Sequence, residues 1–217
     1  MPASAGWPTL IHVGGTPTAV TAQACTNTSG NSYQINNTAR RAWDPSATPV
    51  AYDGGVPATI LSVDYNFGIV TLASTPGGAV TVDVTYIPLL DVAQGKAATL
   101  TIATDALDVS VFGAVDRTFL TGLRTLTAKL ETLDPLLTDL DPGGDTWKWD
   151  TKATAETCIF VEIDWAGLGT NKYRFWSFIP KTEVMGKVDG LVESGIELQA
   201  TVIKAADGTL VHFSCGA

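Results

Sequence analysis

Apolar positions recur along this chain with a dominant period of two. In AVTVDVTYI (residues 79–87), Val80, Val82, Val84 and Tyr86 fall on one face and Thr81, Asp83 and Thr85 on the other, the signature of a strand with one wet side. Just upstream, Leu61, Val63 and Tyr65 alternate with Ser62 and Asp64. Asn66-Phe67-Gly68 then turns the chain into Val70 and Leu72. Thr75-Pro76-Gly77-Gly78 supplies the next turn, with glycine free to take positive φ. Residues 58–87 therefore predict a three-stranded antiparallel meander.

The second half repeats the theme. Leu100 and Ile102 alternate with Thr99 and Thr101. Leu107, Val109 and Val111 alternate with Asp108 and Ser110. Leu126, Ala128 and Leu130 alternate with Thr125, Thr127, Lys129 and Glu131. IFVEIDW (159–165) and YRFWSFI (173–179) are aromatic-rich, and the second is apolar on nearly both faces, which places it centrally in a sheet. GIELQATVI (195–203) alternates again, and Ala206-Asp207-Gly208 turns into Leu210–Cys215. One segment breaks the period. Asp134-Pro135 reads as a helix N-cap followed by proline at the first helical position, Leu136, Leu137 and Leu140 share one helical face, and Pro142-Gly143-Gly144 stops the run. The fold class that follows is mainly β: a β-sandwich or rolled antiparallel sheet with one short flanking α-helix. A parallel βαβ fold lacks the helices it needs.

Length and composition refine this. At 217 residues the chain suits one large β domain or two small ones. Residues 1–55, rich in Asn, Thr and Gly, fit an N-terminal arm or β extension, with short strands at 19–24 and 32–35, and residues 56–217 form the β domain. The three cysteines are widely spaced, so neither a disulfide framework nor a zinc site is indicated, and buried or partly buried thiols are the plainer reading. The N-terminal stretch has no basic n-region or apolar core, which predicts no secretory leader and folding in the cytoplasm. A net charge of −9 is the wrong sign for gripping phosphates.

Candidate chemistry is sparse. His12 and His212 lie in no catalytic motif and read as surface or edge positions. Asp139–Asp150 resembles a calcium loop, but Asp stands where a bidentate Glu belongs and no second helix follows, so an acidic turn is the better reading. Glu162 and Asp164 share a strand face and imitate a glycosidase pair, with Trp147, Trp149, Trp165 and Trp176 as sugar platforms. Acids on a solvated strand and tryptophans in a core or interface account for them more simply. No cofactor and no catalytic residue is expected.

One stretch has strong pattern and almost no chemistry: LDVSVFGAVDRTFLTGLRTLTAKLE (107–131). A strand ending in Phe112-Gly113, the link Arg117-Thr118-Phe119-Leu120-Thr121-Gly122-Leu123 and a further alternating strand resemble the tail tube proteins of long-tailed bacteriophages. FWSFIPKTEVMGKVDGLVESGIELQATV (175–202) is similar in the same way, as are INNTARRAWDPSATPVAYDGG (35–55) and SVDYNFGIVTL (62–72), and the likeness is strongest over 91–217. The resemblance implies a virion structural protein, not an enzyme. Six copies would form a ring whose inner strands join into a barrel, and rings would stack into a tube. Its partners would be itself, a tape-measure protein, and terminator, baseplate or distal tail proteins. DNA would pass through without specific binding, and no membrane insertion is implied. The protein would fold in the host bacterial cytoplasm and end in the virion tail. Phe112, Arg117, Phe119 and Leu123 become candidates for self-association, and Thr81, Asp83, Thr85, Thr125 and Thr127 for lining the lumen. Two other readings stand beside it: another tail component such as a terminator or distal ring, or a carbohydrate-binding β-sandwich module of a tail fibre or baseplate.

Overall fold

The computed structural model describes residues 10–91, 95–108, 119–134, 158–164, 172–186, 192–212 and 214–216. The strands in chain order are β1 (Leu10–Gly14), β2 (Thr18–Ser29), β3 (Ser32–Ile35), β4 (Val50–Asp53), β5 (Val56–Ala58), β6 (Ile60–Asp64), β7 (Ile69–Leu72), β8 (Val80–Tyr86), β9 (Leu89–Asp91), β10 (Gly95–Asp108), β11 (Phe119–Asp134), β12 (Ile159–Asp164), β13 (Lys172–Gly186), β14 (Val192–Thr201), β15 (Ile203–Lys204), β16 (Leu210–Val211) and β17 (Ser214–Gly216). All pairings between them are antiparallel, and the fold is mainly β. The one helical turn among the described residues is a 3-10 turn at Thr38–Arg40.

Seven strands run in the order β5-β4-β8-β2-β3-β7-β6. The two ends of that path are one piece of chain, because only Thr59 separates β5 from β6. The path therefore returns on itself as a small barrel. β2 turns the opposite corner, pairing β8 with its first half and β3 with its second. The corner is made by a bulge in which Thr21 and Ala22 together oppose Asp83. Ala22 sits at φ 51°, a left-handed conformation unusual for a residue with a Cβ. Its N–H donates to Asp83 Oδ1 at 2.7 Å, which holds the bulge in place.

Alternation along β7 and β8 fills the barrel: Val70, Leu72, Val80, Val82 and Val84 pack with Ile35, Ala51 and Trp43. The β15–β16 hairpin adds Ala205 and Val211 to the same cluster. Trp43 is fully buried, and its Nε1 donates to Arg40 O at 2.8 Å. Gly68 closes the β6–β7 turn at φ +63°. A Cβ there would come within 3.0 Å of Arg41 Cα and Trp43 Nε1, so both conformation and space require glycine.

Two expectations are corrected here. Residues 58–87 do not form a meander: β6 and β7 pair as a hairpin, but β7 turns to β3 and β8 to β2 and β4. The turn at 75–78 thus carries the chain across the barrel, a topology that alternation cannot distinguish from a meander. Leu61 does not join the buried face either. Ile60 faces Leu72 and Ser62 faces Thr71, which leaves Leu61 as the extra residue of a bulge, 73% exposed.

The larger sheet runs β10-β11-β14-β13-β12-β1-β9, with β17 also on β13. β13 is central, as its two apolar faces imply. Its first half pairs β12 and its second half β14. Ile11 and Val13 of β1 share a core cluster with Leu126 and Ala128 of β11, four strands away along the sheet. Residues of the intervening strands, Val161, Ile163, Phe175 and Leu198, belong to the same cluster, so the cluster lines one face of a sheet that curls as a half-barrel. Residues 10–53 supply β1 to β4, and so enter both sheets. Asp134 ends β11 opposite Val192. The expected helix beyond it, the Asp139–Asp150 turn, Val109, Val111, Trp147, Trp149 and Trp165 lie outside the described residues. Cys25 is partly buried, and burial pushes its thiol up to about 11. Cys158 is exposed just before β12, contrary to the expected buried thiol.

Candidate assembly surface

Four strands of the larger sheet, β10-β11-β14-β13, have two different faces. Leu126, Ala128, Ile196 and Leu198 point into the core. The strand register fixes what lies on the opposite face. One row runs Thr101–Thr127–Gln199–Phe178, and the next Thr99–Lys129–Glu197. Of these, Thr99, Thr101, Lys129, Glu197 and Gln199 are exposed, and Thr127 is half-buried. The described part of this face is thus hydroxyl-rich, with Lys129 and Glu197 on adjacent strands.

Both margins of this four-stranded unit are open among the described residues. β10 pairs β11 along one side and nothing along the other for 14 residues. β13 from Phe178 onward pairs β14 alone, because β12 ends opposite Ser177. Beyond Thr127 the β10–β11 pair also outruns β14, so Ile102–Asp108 and Phe119–Leu126 continue as a two-stranded ribbon. A lone ribbon is marginal in water and needs a further neighbour. Ile102 on this margin is 50% exposed.

The predicted residues divide among these parts. Thr125 and Thr127 lie on β11, on the polar face. Phe119 opens β11 opposite Asp108. Leu123 belongs to a bulge in which it and Gly122 oppose Asp105. Phe112 and Arg117 lie outside the described residues. Thr81, Asp83 and Thr85 sit on β8, in the barrel and not in this sheet. Asp83 is already engaged, accepting from Ala22 N–H and, at 3.0 Å, from Tyr52 Oη–H.

Sequence reasoning missed a second feature, a row of charged residues, buried at Glu162 and Arg174, between the sheet and the barrel. The register aligns Asp91, His12, Glu162, Arg174 and Ser214 on five successive strands, β9, β1, β12, β13 and β17. His12 is therefore a mid-sheet residue, not an edge or arm residue. Glu162 and Asp164 are buried instead of solvated, because β12 is covered on both faces. Arg174 donates Nε–H to Glu162 Oε2 at 2.6 Å, with Nη2 at 2.5 Å from the same oxygen. Lys172 Nζ lies 3.0 Å from Glu162 Oε1 and 3.8 Å from Asp164 Oδ2. His12 Nε2 is 3.0 Å from Asp91 Oδ1. Its Nδ1 is 3.2 Å from Glu162 Oε1, without hydrogen-bond alignment. Burial by itself raises the Glu162 carboxyl, but His12, Arg174 and Lys172 together outweigh it and hold the group down at about 2.

The barrel clasps this row through the β6–β7 turn. Arg174 Nη1 donates to Asn66 O at 2.6 Å, and its guanidinium lies 5.0 Å from the Phe67 ring centre. Asn66 Nδ2 donates to His212 O and Ser214 Oγ, each at 2.7 Å. Nearby, Trp176 meets Phe160 edge to face at 5.6 Å, so this tryptophan packs a core as expected. The signal in the sequence was parity: Glu162 and Arg174 stand in step with Phe160 and Trp176 on strands too apolar to be solvated.

Among known proteins, no family model matches the chain, and no curated protein matches it in sequence. Part of the fold is similar to two chains of solved particles. One is in the tail of an empty GTA particle with C6 symmetry: TM-score 0.44, 12% identity, 58% of this chain and 87% of that one. The other is in the virion of a native gene transfer agent particle: TM-score 0.41, 14% identity, 58% of this chain and 88% of that one. Both likenesses are partial, and the reading below rests on this chain's own residues.

Proposed function

We propose that this chain is a structural tail component whose copies join edge to edge into a ring and stack into a tube. The observation that carries the reading is the four-stranded unit β10-β11-β14-β13, open at both margins among the described residues, apolar on one face and mostly polar on the other. An open edge is a template for another strand. Because the unit has an even number of antiparallel strands, β10 and β13 run in opposite directions. The β13 margin of one copy can therefore receive the β10 margin of the next in antiparallel register, with every copy facing the same way. Repetition of that heterologous contact closes a ring and removes the edges.

Six copies, the number implied by the resemblance to phage tail tube proteins, would give a 24-stranded barrel roughly 45 Å across at about 4.8 Å per strand and the usual tilt. Thr125 and Thr127 would face its bore with Thr99, Thr101 and Gln199. A wall of hydroxyls and interspersed charges, on a chain of net charge −9, offers DNA passage without a trap. The ribbon carrying Phe119 and Leu123, with Phe112 and Arg117 beyond it, would supply contacts between copies. A tape-measure protein would occupy the tube during assembly, and terminator and distal proteins would close its ends.

Electron microscopy of the purified protein tests this. Hollow tubes support the reading, discrete closed rings favour a terminator or distal ring, and monomers that bind glycans would overturn it. Ile102→Lys places a charge on the β10 margin and should abolish tubes. Phe119→Asp should do the same by burying an unpaired charge in a contact.

A further inference from the structure

We draw no further inference here: the strongest candidate, the side-chain cluster on β12 and β13 in which Lys172 Nζ lies between the Glu162 and Asp164 carboxylates, belongs to the charge row already described, and nothing among the described residues points to a ligand or a reaction there.

Discussion

The barrel and the curled sheet are built from the same alternating strands, yet they treat their edges in opposite ways. The barrel uses a bent strand at each of two corners, β2 and β5–β6, and spends nearly every margin on itself. Among the described residues the curled sheet leaves β10 and half of β13 open. Closure makes a unit that stabilises itself, and openness makes one that is completed by neighbours. The difference arises from bulges and corners, not from composition.

The sharpest way to break this comparison is to separate the two parts where they are joined. Arg174→Met should leave Glu162 buried beside Lys172 and His12 without its guanidinium, and release Asn66 O. The expected loss is about 3–5 kcal/mol, measured by urea unfolding, with the native fold retained by circular dichroism. A loss below about 1 kcal/mol would mean that the row does not tie sheet to barrel.

Acid should act on the same tie. The Glu162 carboxyl is held below its ordinary value of 4.5, at about 2, so its contribution is complete above 4.5 and disappears as pH falls through 2. Linkage gives about 3 kcal/mol for that interval. Glu162→Gln should flatten this part of the stability curve, and a curve that keeps its slope in the variant would assign the acid sensitivity to other carboxylates.

Smaller still is the effect of Gly68→Ala, confined to the barrel. Positive φ and the approach of Arg41 and Trp43 should together cost about 2 kcal/mol, visible as a lower melting temperature with tube formation intact below it. Smallest for the monomer is Ile102→Lys on the open margin, within about 0.5 kcal/mol of the parent, although it should stop polymerisation. A variant that loses both stability and tubes would place Ile102 in the monomer's core and not on a margin.

Much of the fold was legible because alternation reports local conformation and which face is wet. The valines of β8, Leu126 and Ala128, and the central place of β13 followed from it directly. Pairing was not legible. The turn at 75–78 reads the same whether the chain doubles back on β7 or crosses to β2, and a single inserted residue turned Leu61 from core to solvent. The charge row was hidden for a related reason. His12 lies far in sequence from Glu162 and Arg174 and meets them only through register, so each alone looked like an ordinary polar residue. The barrel position of Thr81, Asp83 and Thr85 likewise depends on which sheet β8 joins.

Arg174 grips the turn through a main-chain oxygen, that of Asn66. Every amino acid presents that atom, so inheritance can rewrite position 66 without erasing the grip itself. What a new residue would forfeit is the amide's hold on His212 and Ser214, and the C-terminal strand, not the clasp, would be the first to loosen.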